Sequence, residues 1–219
     1  MHISLKSIIF VSVLIIKNGG RPQKGVTIIG QYYNPSNIDK KESIYSHDYK
    51  FRWTNANGKV MLFGNGLKLM EHSWLNNRFV GAVEMLIAKG GDWFGDRLVW
   101  AGDYADPEQG NEDNLYSLCA RVKKRHTKVK YFRYILNMDT RQYVDKRKVP
   151  VTNSGVCDNG KKYCYRIHPL PLLTCEGNGR GCGDYRGESP LIGLWSRQRI
   201  TVSNEIPEGY TELKFDLVE

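Results

Sequence analysis

Histidine and cysteine are scarce in this chain, five of each among 219 residues. A catalytic or metal centre built on either type has few residues to draw on. An odd number of cysteines excludes complete pairing into disulfides within one chain. Cys157, Cys164, Cys175 and Cys182 follow a C-x6-C-x10-C-x6-C spacing, wider than structural zinc sites use between paired ligands. No apolar run reaches the roughly 20 residues of a membrane-spanning helix. The run Ile8 to Ile16 is followed by Lys17-Asn18-Gly19-Gly20-Arg21 rather than a small-residue cleavage site, so it reads as a buried strand. Without an export signal the expected location is the cytoplasm, with reduced thiols and no membrane association. No Gly-Lys-Ser/Thr is present, which excludes a P-loop. No internal repeat, coiled coil or Pro- or Ser-rich linker is apparent either.

Acidic residues are also short, 23 against 32 lysines and arginines, leaving a net charge of +9. That excess is unevenly placed. Segment 121–148 carries eleven cations against Asp139 and Asp145 alone, a surplus as large as that of the whole chain. Segment 92–113 carries seven acids against Arg97. Such polarity predicts an oriented surface field and an anionic partner, nucleic acid foremost. Aromatic residues interleave the cations in Lys123, Lys124, Arg125, Lys128, Lys130, Tyr131, Phe132, Arg133 and Tyr134. Cations on phosphates and rings on bases are what a nucleic-acid groove requires.

The hydrophobic pattern predicts an α+β fold with a largely antiparallel sheet and two short helices, in a single domain. Residues 1–65 read as an N-terminal β-hairpin region of the same fold and residues 66–219 as its main part. Strands are expected at 8–16 and 25–33, and a hairpin at Tyr49–Thr54 and Lys59–Phe63. Further strands are expected at Arg97–Tyr104, at Tyr131–Leu136 with Arg141–Val144 around a turn, and at Ile192–Val202 and Glu212–Val218. Residues 34–47 read as a polar loop. The first helix spans 76–89, capped by Asn76 and ended by Gly90-Gly91. The second spans about 114–125, with Glu112 and Asp113 at its positive end and Lys123, Lys124 and Arg125 at its negative end.

Residues able to carry chemistry are scattered along the chain. His72 could pair with Asp103, and His168 with Glu176, as acid–base couples. Asp103, Asp106 and Glu108 could face a hard cation. Segment 176–187 holds five glycines with Arg180 and Arg186, a composition suited to cradling an anion.

The phrases "GLKLMEHSW", "LVWAGDYADPE", "RYILNMDTRQYVD" and "IHPLPLLTCEGNGRGCGDYRG" resemble uncharacterised proteins of bacteriophages and prophage-bearing bacteria, over residues 66–187. No activity comes with that resemblance. It implies an accessory role, such as interference with a host-defence factor, in the cytoplasm of the host cell. In similar sequences positions 175 and 182 are small, so Cys175 and Cys182 depart from the pattern. The expected function is therefore a binding protein that engages nucleic acid, a ribonucleoprotein or a host protein. Its binding residues would be Lys123, Lys124, Arg125, Lys128, Lys130, Arg133, Arg180 and Arg186, with no cofactor and no metal. The alternative is a phosphate-ester or nucleotide hydrolase using His72, Asp103, Asp106 and His168.

Overall fold

The computed structural model describes residues 31–54, 60–123, 129–156, 162–177 and 189–216. The chain makes a mixed α+β fold around a large, mostly antiparallel sheet. Its first half supplies β1 (Tyr33–Asn37), β2 (Glu42–Ser43), the hairpin β3 (Lys50–Thr54) and β4 (Val60–Gly64), helix α1 (Arg78–Ile87), β5 (Arg97–Gly102), the single-turn α2 (Leu115–Leu118) and β6 (Ala120–Arg121). The second half supplies β7 (Tyr134–Asn137), β8 (Gln142–Asp145), the hairpin β9 (Asn153–Val156) and β10 (Lys162–Tyr165), helix α3 (Pro169–Thr174), β11 (Cys175–Glu176), β12 (Gln198–Ser203) and β13 (Thr211–Glu212). The main sheet runs β13-β8-β7-β12-β5-β1-β2-β6, with β11 added in parallel beside the end of β5.

That order is a palindrome, and it reveals a repeat that the sequence reading does not contain. Both halves run strand, strand, short 3-10 turn, hairpin, helix, tryptophan loop, strand. In the first, Asn37 Oδ1 accepts from the Lys40 N–H, Asp39 accepts from the backbone and side chain of Arg97, and Trp93 Nε1 donates to Glu42. In the second, Asn137 Oδ1 accepts from the Thr140 N–H, Asp139 accepts from the backbone and side chain of Arg199, and Trp195 Nε1 donates to Gln142. Each turn closes on a non-glycine residue in the left-handed region, Lys41 at φ 52° and Arg141 at φ 53°. A short parallel strand then edges each half, β6 on β2 and β13 on β8. The ion pair tying that edge strand to the 3-10 turn is inverted in sign: Arg121 with Asp48 in one half, Glu212 with Lys148 in the other. The two halves meet where β5 pairs antiparallel with β12, Arg97 opposite Arg199. Only backbone roles and a few frame residues are shared, which is why apolar periodicity does not betray the repeat.

Helix α1 forms where the 3.6-residue apolar pattern predicts it, burying Phe79, Val80, Val83, Leu86 and Ile87. Each such side chain contributes about 1.5–3 kcal/mol relative to exposure. Its cap is Asn77, whose side chain accepts from the N–H groups of Phe79 and Val80; Asn76 instead takes a left-handed φ of 69°. The core gathers α1 and α3 with Trp93, Trp100, Trp195, Leu98, Ile135 and Ile200.

Several expectations need correction. Residues 34–47 are not a loop: β1 lies between β5 and β2 with all five residues buried, and Asn37 spends its side chain on capping the following turn. The second helix is not 114–125 but one turn, Leu115–Leu118. Beyond it Ala120 and Val122 donate to the carbonyls of Lys41 and Ser43, and this strand pairing replaces helix continuation. A third helix, Pro169–Thr174, starts on a proline, tolerated because a first-turn N–H has no helical partner. Residues 190–197 are turns around Trp195, and β12 begins at Gln198. The last strand is only two residues long. The strand predicted at 8–16 lies outside the described residues.

Candidate functional site

The main sheet distributes the basic segment instead of gathering it. Arg121 ends β6 and Lys123 follows it at one edge of the sheet, whereas Lys146–Lys148 follow β8 near the other. The six strand spacings between β6 and β8 amount to about 29 Å. Several of the cations are also spoken for. Arg121 pairs with Asp48, Arg133 with Asp145, Lys148 with Glu212 and Lys146 with Glu84. Lys123, Lys130, Arg141 and Arg147 are exposed and make no ion pair among the described residues. Lys124, Arg125, Lys128, Arg180 and Arg186 lie outside them, as do Cys157 and Cys182.

What the fold does assemble is a ridge between two clefts. Residues 129–133 lead into β7 without regular secondary structure, and successive side chains, Lys130, Tyr131 and Phe132, alternate between the two clefts. Tyr131 lines a cleft of about 350 Å³ together with Trp74, Lys146, Arg147, Tyr165 and Arg166. Lys130 and Phe132 line a second, of about 430 Å³, together with Lys89, Gly90 and Asn204. Lys89, Lys130 and Arg147 are exposed and Arg166 is half-buried, so cations stand on both sides of the ridge. Arg147 and Arg166 come from the 3-10 turn after β8 and from the strand end before α3. Leu75 N–H donates to the Arg166 carbonyl, so the first cleft sits on the crossing of the two halves.

The floor of that cleft is charged and buried. Lys146 Nζ lies 2.5 Å from Glu84 Oε1, and both side chains are almost fully enclosed. His168 stands behind them. Its Nδ1 accepts from the Leu170 N–H at 3.2 Å, so Nε2 carries the hydrogen and donates to Glu84 Oε1 at 3.3 Å. Burial keeps His168 neutral and lowers its pKa, against the pull of Glu84. Burial also opposes the Glu84 charge, but the His168 hydrogen bond and the Lys146 ammonium outweigh it and hold the carboxyl below its usual range. Burial lowers the Lys146 pKa in spite of Glu84. The equivalent residue in the first half is Ser46, which donates to the carbonyls of Gly66 and Asn65. One half thus fills this place with a hydroxyl. The other places Lys146 there, which with His168 closes on Glu84 of α1 and buries three titratable groups, at a desolvation cost of several kcal/mol per ion. Above them the Tyr131 ring covers Lys146, with Nζ 4.8 Å from its centroid, while 52% of Tyr131 stays exposed.

The acid–base couples expected from sequence are not brought together. His72 is buried, its Nδ1 3.0 Å from the Gly66 carbonyl and its Nε2 accepting from Trp100 Nε1 at 2.9 Å. Both ring nitrogens are occupied, which leaves none for Asp103, and burial pushes the pKa down to about 4. Asp103 accepts from the Tyr32 N–H. His168 faces Glu84, and Glu176 instead binds Ser196 and Arg197. Glu108 also turns to Arg197, away from the exposed Asp106. Sequence reasoning missed Glu84 and Arg166, and counted Lys146 only as one cation of the basic segment rather than as a buried partner of Glu84. A glutamate inside an otherwise buried helical face was the available signal for the first of them.

Comparison with models of known families, with curated proteins and with solved structures finds no match to the chain.

Proposed function

We propose that the chain is a nucleic-acid-binding protein whose contact surface is the ridge at 129–133 and the two clefts beside it. The observation that carries this reading is Tyr131 and Lys130 turning to opposite clefts, with Arg147 and Arg166 beside the ring and Lys89 beside the lysine. Phosphates need cations that are not already neutralised, and Lys89, Lys130, Arg147 and Arg166 make no ion pair among the described residues. Aromatic faces beside them meet the bases. The surplus of nine positive charges on the chain strengthens the long-range attraction.

The test is fluorescence anisotropy of a labelled oligonucleotide titrated with the protein at several salt concentrations. The expected result is a linear fall of log affinity with log salt, with a slope of roughly −0.7 to −0.9 per phosphate contacted. The variant Lys130→Ala/Arg147→Ala is expected to weaken binding and to flatten that slope. Absence of binding at low salt, or affinity that ignores both salt and these substitutions, overturns the reading.

A further inference from the structure

The geometry points to single-stranded nucleic acid, held with an unstacked base on Tyr131, as the ligand of this surface; the inference rests on the nucleic-acid reading above. A duplex presents phosphates outside and hides its base faces within the stack. It would use the cations and leave the rings idle. This surface is built the other way. Its two concavities, of about 350 and 430 Å³, share the segment 129–133, whose Tyr131 lines one while Lys130 and Phe132 line the other. Each is lined by an aromatic ring as well as by cations. Clefts of that size accept single bases, and base–aromatic stacking requires the base to be out of its duplex.

Tyr131 is prepared for this role. Large aromatic rings normally gain from burial, yet about half of this one, 52%, remains exposed. It is not loose, because the face turned inward lies on the Lys146 ammonium. Lys146 is fixed in turn by Glu84, and Glu84 by His168. Three buried groups from α1, the 3-10 turn after β8 and the cap of α3 thus converge beneath one exposed ring. The first half has Ser46 at the place of Lys146, so the repeated frame by itself does not call for an ammonium there. Their position is explained if they hold Tyr131 flat and leave its outer face for a base. Lys146, Glu84 and His168 are then positioning residues and Tyr131 is the contact. Arg147 and Arg166 line the same cleft and supply the phosphate contacts on either side of the stacked nucleotide.

The experiment is competition against a labelled oligothymidylate bound to the full chain. Unlabelled oligothymidylate, its duplex with oligodeoxyadenylate, and dextran sulfate, which has charge but no bases, serve as competitors. The single strand is expected to displace at least about tenfold better than either of the others at equal charge. Tyr131→Leu is expected to weaken single-strand binding about fivefold or more, the value of one stacked base. It should leave the response to dextran sulfate unchanged, and Tyr131→Phe should retain most of the affinity. Tyr131 is half exposed, so these variants are expected to fold, which a circular dichroism spectrum checks. Equal displacement by duplex or dextran sulfate, with Tyr131→Leu binding as the parent does, overturns the single-strand inference and leaves the nucleic-acid reading intact. Failure of the labelled strand to bind at all removes both.

Discussion

Arg97 and Arg199 lie opposite each other across the junction of β5 and β12, and each is the other's counterpart in the repeat. Each is held by the aspartate of its own half's turn, Asp39 or Asp139, which accepts from its backbone N–H and from its side chain. Asp139 also attracts Arg97 across the junction. Four charges of alternating sign thus stitch the halves together where only two residue pairs join β5 to β12.

Removing either aspartate charge should weaken that junction. Asp39→Asn and Asp139→Asn are each expected to destabilise the protein by about 1 kcal/mol, the upper end of the range for an exposed ion pair. The costs should match because the two sites are copies. The Arg97 hydrogen bond lowers the Asp39 carboxyl. At Asp139 burial works in the opposite sense, but the bonds from Arg199 prevail. Both folded pKa values lie below the unfolded ones, so this stabilisation is complete above the ordinary carboxylate range and disappears as pH falls through the lowered values. Urea denaturation of each variant, at neutral and at acidic pH, measures both statements.

His72 gives a second pH dependence. It is buried and neutral, locked between the Gly66 carbonyl and the Trp100 indole, with a pKa of about 4 against an ordinary 6.5. The unfolded chain therefore takes up the proton first as the solution is acidified. Stability is expected to fall between pH 6.5 and 4 by roughly 3 kcal/mol. His72→Gln should be less stable at neutral pH, and its melting temperature should vary less over this range. An unchanged pH profile would show that His72 does not stay neutral in the fold.

Much of the fold was legible in the sequence, because the relevant signals are local. The apolar stripe of α1, the turn at Asn137-Met138-Asp139-Thr140 and the alternation in Lys50–Thr54 each fix an element from within a few residues. The errors arose where pairing at a distance overrode local preference. Asn34, Pro35, Ser36 and Asn37 have the composition of a turn, yet two neighbouring strands hold them extended. Cys119 to Val122 continue a helical pattern, yet the carbonyls of Lys41 and Ser43 draw them into a strand. The site was legible in kind, as cations interleaved with rings, but not in place. Lys123 and Lys146 belong to one basic segment and stand far apart on the sheet. The repeat had a faint signature: Asn-x-Asp in each turn, and Gly-x-Trp-x3-Arg leading into β5 at Gly91–Arg97 and again into β12 at Gly193–Arg199.

The buried ion pair supports a third prediction. Lys146→Met removes the ammonium and leaves Glu84 charged inside the protein, where its enclosed side chain has lost its main counter-charge. A loss of about 3–5 kcal/mol is expected. Lys146→Met/Glu84→Gln removes the charge at both ends and should recover most of that loss, since the Gln side-chain carbonyl still accepts from His168. If the stacking platform is as described, the double variant should be well folded and yet hold single-stranded oligonucleotide more weakly, because the thioether that replaces the ammonium no longer fixes the Tyr131 ring through a cation–π contact. Denaturation and anisotropy on the same preparation separate the two effects.

The left-handed turn residues allow the repeat and the binding surface to be tested separately. Lys41 and Arg141 sit at φ 52° and 53°, a region that costs an L-residue roughly 1–2 kcal/mol and glycine very little. Glycine has more unfolded-state entropy to lose, which offsets part of the gain. Lys41→Gly and Arg141→Gly are therefore each expected to raise stability by about 0.5–1 kcal/mol, and by similar amounts, as copies of one turn should. Each also deletes one exposed charge. Arg141 lies at the far end of the β7–β8 hairpin from Arg147, so its loss should hardly change oligonucleotide affinity, in contrast to Arg147→Ala. A marked loss of affinity in Arg141→Gly would extend the contact surface along the hairpin, away from the ridge. Unequal stability changes in the two glycine variants would mean that the turns carry different loads despite their shared geometry.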